Sequence, residues 1–248
     1  MGFMATWNGR KAYRLHIKGN ALDDKKQYEQ AERVHDQALA LYRQAMDEGF
    51  RKPNALMAYA VLLMRKGRFE EAREVMLTTE KQPGLSRDDR RKLELNFAIC
   101  QWRRGQLEGA IELMKHAHED AKQALIYGSL GYMLIEKAIQ TGDFAEAVAF
   151  NQEAYEYDED DAVVLDNLGQ LALAQGERER ARGFFERALA QKPTQVDTLY
   201  YLAKLSCEDG DSQAAESYLA RALGGRYSAL CTTTREQAEA LMERVKGG

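Results

Sequence analysis

The chain has 248 residues, 45% of them apolar and 30% charged, with a formal net charge of −4. That balance excludes a disordered chain, and the interspersed acids and bases leave no basic face of the kind nucleic acid requires. Only 3 prolines interrupt a composition rich in Ala, Leu, Glu, Arg and Gln, so the expected class is all-α.

No run of about 18 apolar residues is present to cross a bilayer, and Met1 to Trp7 is too short for the core of a signal sequence. A cytoplasmic protein without direct membrane insertion is therefore expected. Cys100, Cys207 and Cys231 are too few and too far apart for a disulfide framework or a metal site.

Residues 1–11 read as an N-terminal extension. With the residues that follow it is mildly basic (Arg10, Lys11, Arg14, Lys18) and is taken as a solvated stretch. A first unit spans 12–52. Gly19 precedes Ala31 by twelve residues, Ala38 follows seven later, and the polar turn Asp24-Lys25-Lys26-Gln27 lies between. The pattern from Glu29 to Glu48 is unbroken, which predicts a long second helix.

Five more units follow, at 53–86, 87–123, 124–161, 162–195 and 196–229. Their glycines, Gly67, Gly105, Gly142, Gly176 and Gly210, are spaced by 38, 37, 34 and 34. Five residues after each glycine stands an alanine: Ala72, Ala110, Ala147, Ala181 and Ala215. Seven further on come Thr79, Ala117, Ala154, Ala188 and Ala222. Seven before the glycine, in four of these units, lies Ala60, Ala98, Gly169 or Ala203. In the 124–161 unit Gly131 precedes Ala147 by sixteen rather than twelve, which lengthens the first helix by about one turn without changing its face.

Each unit therefore holds two apolar-periodic segments split at a turn. Leu165, Leu168 and Ala172, then Ala181, Phe185 and Ala188, fall on single helix faces. The small residues let two helices approach closely. The glycine, or a lysine in the first unit, sits where a left-handed conformation helps the chain turn. A lone hairpin cannot cover its stripe, so neighbours stack. Pro53 suits a first helical turn, while Ser86 with Asp89 and Thr194 with Asp197 read as N-cap pairs. At the end, Thr233 with Glu236 predicts a capping box. It opens a final helix, 233–246, whose stripe is Ala238, Leu241 and Val245.

The unit Leu165, Leu168, Gly169, Ala172, Gly176, Ala181, Phe185, Ala188, Pro193 resembles the tetratricopeptide repeat family, as does Leu199, Leu202, Ala203, Gly210, Ala215, Leu219, Ala222. In the first of these, Leu165 stands for the consensus aromatic and Ala172 for the consensus tyrosine. The resemblance covers about residues 12 to 229 and implies a right-handed superhelical solenoid, 12–246, of antiparallel helix hairpins. It further implies that the first helix of each hairpin lines a concave, peptide-binding groove. By repeat position the groove residues would be His16, Asn20, Met57, Val61, Met64, Lys92, Leu95, Ile99, Trp102, Arg103, Tyr132, Asp166, Gln170, Asp197, Tyr200 and Lys204. Each is equally a candidate for packing between helices. The carboxylate clamp of some family members is matched at only two of five positions: Lys18-Gly19-Asn20 and Lys92 fit, but His16, Ala58 and Asn96 do not.

Catalytic and metal signatures are not found. His116 and His118 are two residues apart, on different sides of a helix, and Asp158 to Asp161 falls in a hairpin junction. His35 and Cys207 have no recognisable nucleophile partner. The expectation is a non-enzymatic scaffold or adaptor with a protein or peptide partner and no cofactor or metal. The alternatives are a peptide-sensing regulatory module and a structural, self-associating or membrane-attached assembly subunit.

Overall fold

A computed structural model describes residues 2–247. Among them thirteen helices and no strand occur: α1 (Phe3–Asp24), α2 (Tyr28–Asp47), α3 (Pro53–Arg65), α4 (Phe69–Glu80), α5 (Arg87–Arg103), α6 (Leu107–Asp120), α7 (Ala124–Thr141), α8 (Ala145–Tyr157), α9 (Ala162–Ala174), α10 (Arg178–Gln191), α11 (Val196–Glu208), α12 (Ser212–Leu223) and α13 (Arg235–Gly247). They divide into two compact units, Met1–Gln106 and Leu107–Gly248. Helix α1 begins at Phe3, so the stretch expected to precede the first repeat is helical.

The hairpin turns share one chemistry. Gly67, Gly105, Gly142, Gly176 and Gly210 all have φ between 70° and 83°, and Lys26 takes the same left-handed place at 59°. In five of these six turns the next residue donates its N–H to a carbonyl five positions back. Gln27 donates to Leu22, Arg68 to Leu63, Gln106 to Gln101, Glu177 to Ala172 and Asp211 to Ser206. These bonds satisfy carbonyls left over at the helix end. The turn after α7 uses a single bond from Gly142 to Ala138 instead.

In the first unit α1 lies against α2 through small residues, with Ala5, Ala12, Ala31, Ala38 and Ala45 all buried. A Cβ on Gly19 would stand 2.3 Å from the His35 ring, so only glycine admits that ring. Tyr42 stacks on Tyr59 of α3 at 5.0 Å, joining the first hairpin to the second. Helix α5 opens at Ser86, whose hydroxyl oxygen accepts from the Asp89 N–H at 3.0 Å.

In the second unit α7 runs 18 residues against 13 for α9 and α11, the longer helix that the sixteen-residue spacing predicts. Its backbone is met by two asparagines. Asn151 of α8 donates to the Gly131 carbonyl at 3.1 Å, and Asn167 of α9 donates to that of Gly128 at 2.8 Å. On α9 a Cβ at Gly169 would meet the Phe185 ring at 2.5 Å. Phe185 sits in a core with Ala172, Ala181, Leu202 and Leu205.

Two caps differ from expectation. Helix α11 is preceded by Gln195, which makes no cap bond, and Asp197 is engaged elsewhere. Helix α13 is capped by Thr234 and Gln237, not by Thr233 and Glu236. The Gln237 N–H donates to the Thr234 hydroxyl at 3.2 Å, and the Thr234 N–H donates to Gln237 Oε1 at 2.7 Å. The box is shifted by one because Thr233 turns inward to Asp197. Ala238 and Leu241 nevertheless pack on Ala203 and Leu219, and Val245 packs beside them.

Candidate functional site

The residues assigned to a groove lie on the odd-numbered helices, and each unit presents its own set. In the first unit, His16 of α1 is buried, with its ring edge-on to His35 at 5.7 Å and to Tyr42 at 6.2 Å. Burial, then the nearby His35 and Arg65 charges, push its pKa down to about 4. Asn20 Oδ1 accepts from Arg65 at 2.8 Å and lies 3.1 Å from His35 Nε2, while Arg65 also donates to Asp23 at 2.6 Å. Asn20 therefore serves a polar network that ties α1 and α2 to α3, whereas His16 packs against the rings of His35 and Tyr42. On α3, Met57 and Val61 are half-buried and Met64 is buried. On α5, Leu95, Ile99 and Trp102 are buried, Arg103 is half-buried and Lys92 is exposed. The Arg103 guanidinium lies over the rings of Trp102 and Phe69, at 5.4 and 5.9 Å.

In the second unit, Tyr132 and Tyr200 are half-buried and Lys204 is exposed. Asp166, Gln170 and Asp197 are only 3%, 5% and 9% exposed. Asp166 accepts from the Thr198 hydroxyl at 2.5 Å and from the Gln170 amide at 2.6 Å. Asp197 accepts from both the N–H and the hydroxyl of Thr233, at 2.8 and 2.6 Å. Gln170 also donates to the Thr232 hydroxyl at 3.2 Å. Burial, then the charge of Asp197, pushes the Asp166 carboxyl up to about 7, and burial raises that of Asp197 as well.

Asp197 and Gln170 are reached by the connection between α12 and α13, Gly224–Thr234. It has eleven residues, whereas Lys192–Gln195 joins α10 to α11 with four. It crosses α11 and reaches α9. Thr198, Gln195, Thr232 and Thr233 belong to this site and were not singled out by sequence as its members. The signal available was the length of the connection and its run of threonines.

Outside these faces, Phe3, Met4, Trp7 and Ile17 of α1 are exposed, Phe3 at 82%. Phe3, Thr6, Trp7, Arg10, Lys11 and Arg14 line a shallow depression there. His118 packs edge-on to Tyr127 and Phe150, at 4.9 and 5.2 Å, which gives it a packing role. Asp161 caps α9 by accepting from Val163 and Val164. Among the described residues no group of three or more His, Cys, Asp or Glu is placed to hold a metal ion, and no helix is long and apolar enough to cross a membrane.

A tetratricopeptide repeat family model matches residues 24–84, 138–195 and 172–225. No curated protein matches the chain. Among solved structures, the chain is similar to a thermophilic TPR protein of Thermus thermophilus, at 18% identity over 79% of this chain and 100% of that one, with a TM-score of 0.65. It is also similar to the Cut9–Hcn1 hetero-tetramer of the APC/C, at 15% identity over 98% of this chain and 48% of that one, TM-score 0.59, so it spans about half of that neighbour. A third neighbour is PilW, a type IV pilus biogenesis factor, at 16% identity over 82% and 91%, TM-score 0.57. At these identities the neighbours establish the fold alone.

Proposed function

This chain belongs to the tetratricopeptide repeat family, and from that premise we propose that it is a non-enzymatic scaffold that binds a partner polypeptide along the faces of its odd-numbered helices. The observation that carries the reading is the accessibility of apolar, aromatic and basic side chains on those helices in each unit. Met57, Val61, Lys92 and Arg103 recur on α3 and α5, and Tyr132, Tyr200 and Lys204 recur on α7 and α11. Half-buried apolar and aromatic residues beside a few cations suit a chain segment anchored by a few side chains. In support of the non-catalytic side of the reading, the buried carboxylates Asp166 and Asp197 are taken up by threonine and glutamine donors of the chain itself.

The test is affinity capture from native lysate with three proteins: wild type, Met57→Ala with Val61→Ala, and Tyr200→Ala with Lys204→Glu. At least one pair of substitutions is expected to reduce recovery of a specific partner by roughly tenfold, with helicity unchanged. Equal recovery by all three contradicts the reading. A second reading, a subunit of a larger assembly, is favoured by the exposed Phe3, Met4 and Trp7 on α1. It predicts capture that survives both pairs and is lost on Phe3→Ala with Trp7→Ala.

A further inference from the structure

Segment Tyr227–Thr234 lies where a ligand would lie if α9 and α11 bind peptide. The Thr232 hydroxyl accepts from the Gln170 amide, and Thr233 gives its N–H and hydroxyl to Asp197, so the segment reaches two successive odd-numbered helices. These contacts are not what docks the last helix. That helix is seated by Ala238 and Leu241 on Ala203 and Leu219, and is capped by Thr234 with Gln237. The connection is longer than its neighbours, and within it Ser228 and Leu230 are exposed, Leu230 at 41%.

The surface beneath it offers the segment one donor, the Gln170 amide, among several acceptors. Two carboxylates accept there. Gln195, 7% exposed and bonded through its amide to the Ala162 carbonyl, keeps a buried Oε1 without a partner, and its side chain also neighbours Asp166. A buried acceptor without a donor is costly, so this surface favours a segment that brings donors and no negative charge.

Resting on the reading of these helix faces as the binding surface, we infer that the α9–α11 face recognises an extended segment bearing Thr or Ser hydroxyls and no carboxylate, and that Thr232–Thr233 is its built-in occupant, which a partner segment of the same chemistry displaces. A tethered occupant acts at an effective concentration of about millimolar and lowers apparent affinity by the fraction of time that the face is covered.

The probe is a fluorescein-labelled peptide of residues 226–235 carrying Cys231→Ser, with a control peptide that also carries Thr232→Val and Thr233→Val. Three full-length proteins are compared by fluorescence polarisation: wild type, a chain with residues 228–233 replaced by alternating Gly and Ala, and that chain with Asp197→Ala. The replaced chain is expected to bind the probe roughly tenfold tighter than wild type and than it binds the control peptide, and Asp197→Ala is expected to abolish the gain. If the replacement lowers helicity, the Thr232→Val, Thr233→Val chain takes its place with the same expectation. Equal affinity of wild type and replaced chain, equal affinity for the two peptides, or no binding up to about 2 mM peptide overturns the inference. If partner capture is still lost on Tyr200→Ala with Lys204→Glu, such a result removes the built-in occupant alone. If those substitutions also leave capture unchanged, the binding-surface reading of α9 and α11 falls with it.

Discussion

The Asp166 carboxylate exchanges water for two donors, the Thr198 hydroxyl and the Gln170 amide, and sits close enough to Asp197 to feel its charge. Burial and that like charge both favour the neutral form, which places its pKa near 7. A carboxyl raised in the folded state holds its proton over a range in which the unfolded chain, at about 3.9, has lost it. Stability from this group is therefore present at low pH, falls as pH rises from about 4 to 7, and levels off above. Asp166→Asn removes this group's share of the slope. Its unfolding free energy relative to wild type is expected to rise by something on the order of 2 to 4 kcal/mol between pH 4 and 7, measured by urea titration. A constant difference across that range contradicts the assignment. His16 runs the other way: its depressed pKa withdraws stability as pH falls from about 6.5 toward 4. Repeat position placed Asp166, Gln170 and Asp197 on the groove face, but not their partners. Thr233 is 36 residues from Asp197 and Thr232 is 62 from Gln170, and no local pattern records a contact at that distance.

At the scale of helix and turn the legible features are those decided within a few residues. The left-handed Lys26 and the five turn glycines follow from the need to reverse the chain, and Ser86 caps α5 through its own next turn. The longer α7 follows from the sixteen-residue spacing before Ala147. The expected pairs Thr194–Asp197 and Thr233–Glu236 failed for one tertiary reason, the engagement of Thr233 with Asp197. Small residues at helix crossings make a sharp claim. Ala181 is fully buried among Ala172, Phe185, Leu202 and Leu205. Ala181→Leu therefore overpacks the α9–α10 contact and is expected to cost about 1–3 kcal/mol in chemical denaturation. An unchanged midpoint contradicts close packing at that crossing.

For the molecule as a whole, the repeat supplies the fold and leaves the partner open, because stacking consumes the periodic residues. Periodicity predicts paired helices split at a turn, and thirteen helices are found among the described residues. It could not separate buried from accessible positions, since both occupy the same helices. His16, Met64, Leu95, Ile99 and Trp102 are buried in this chain, whereas Val61, Tyr200 and Lys204 are accessible. The central claim is that the accessible positions on odd-numbered helices touch a partner polypeptide and those on even-numbered helices do not. Site-specific photo-crosslinking in native cells tests it most directly, with a benzophenone amino acid placed in turn at Val61, Lys204, Glu74 and Glu179. The account predicts a discrete protein adduct from Val61 or Lys204 and none from Glu74 or Glu179. Adducts from the even-numbered helices alone, or from no position, would contradict it.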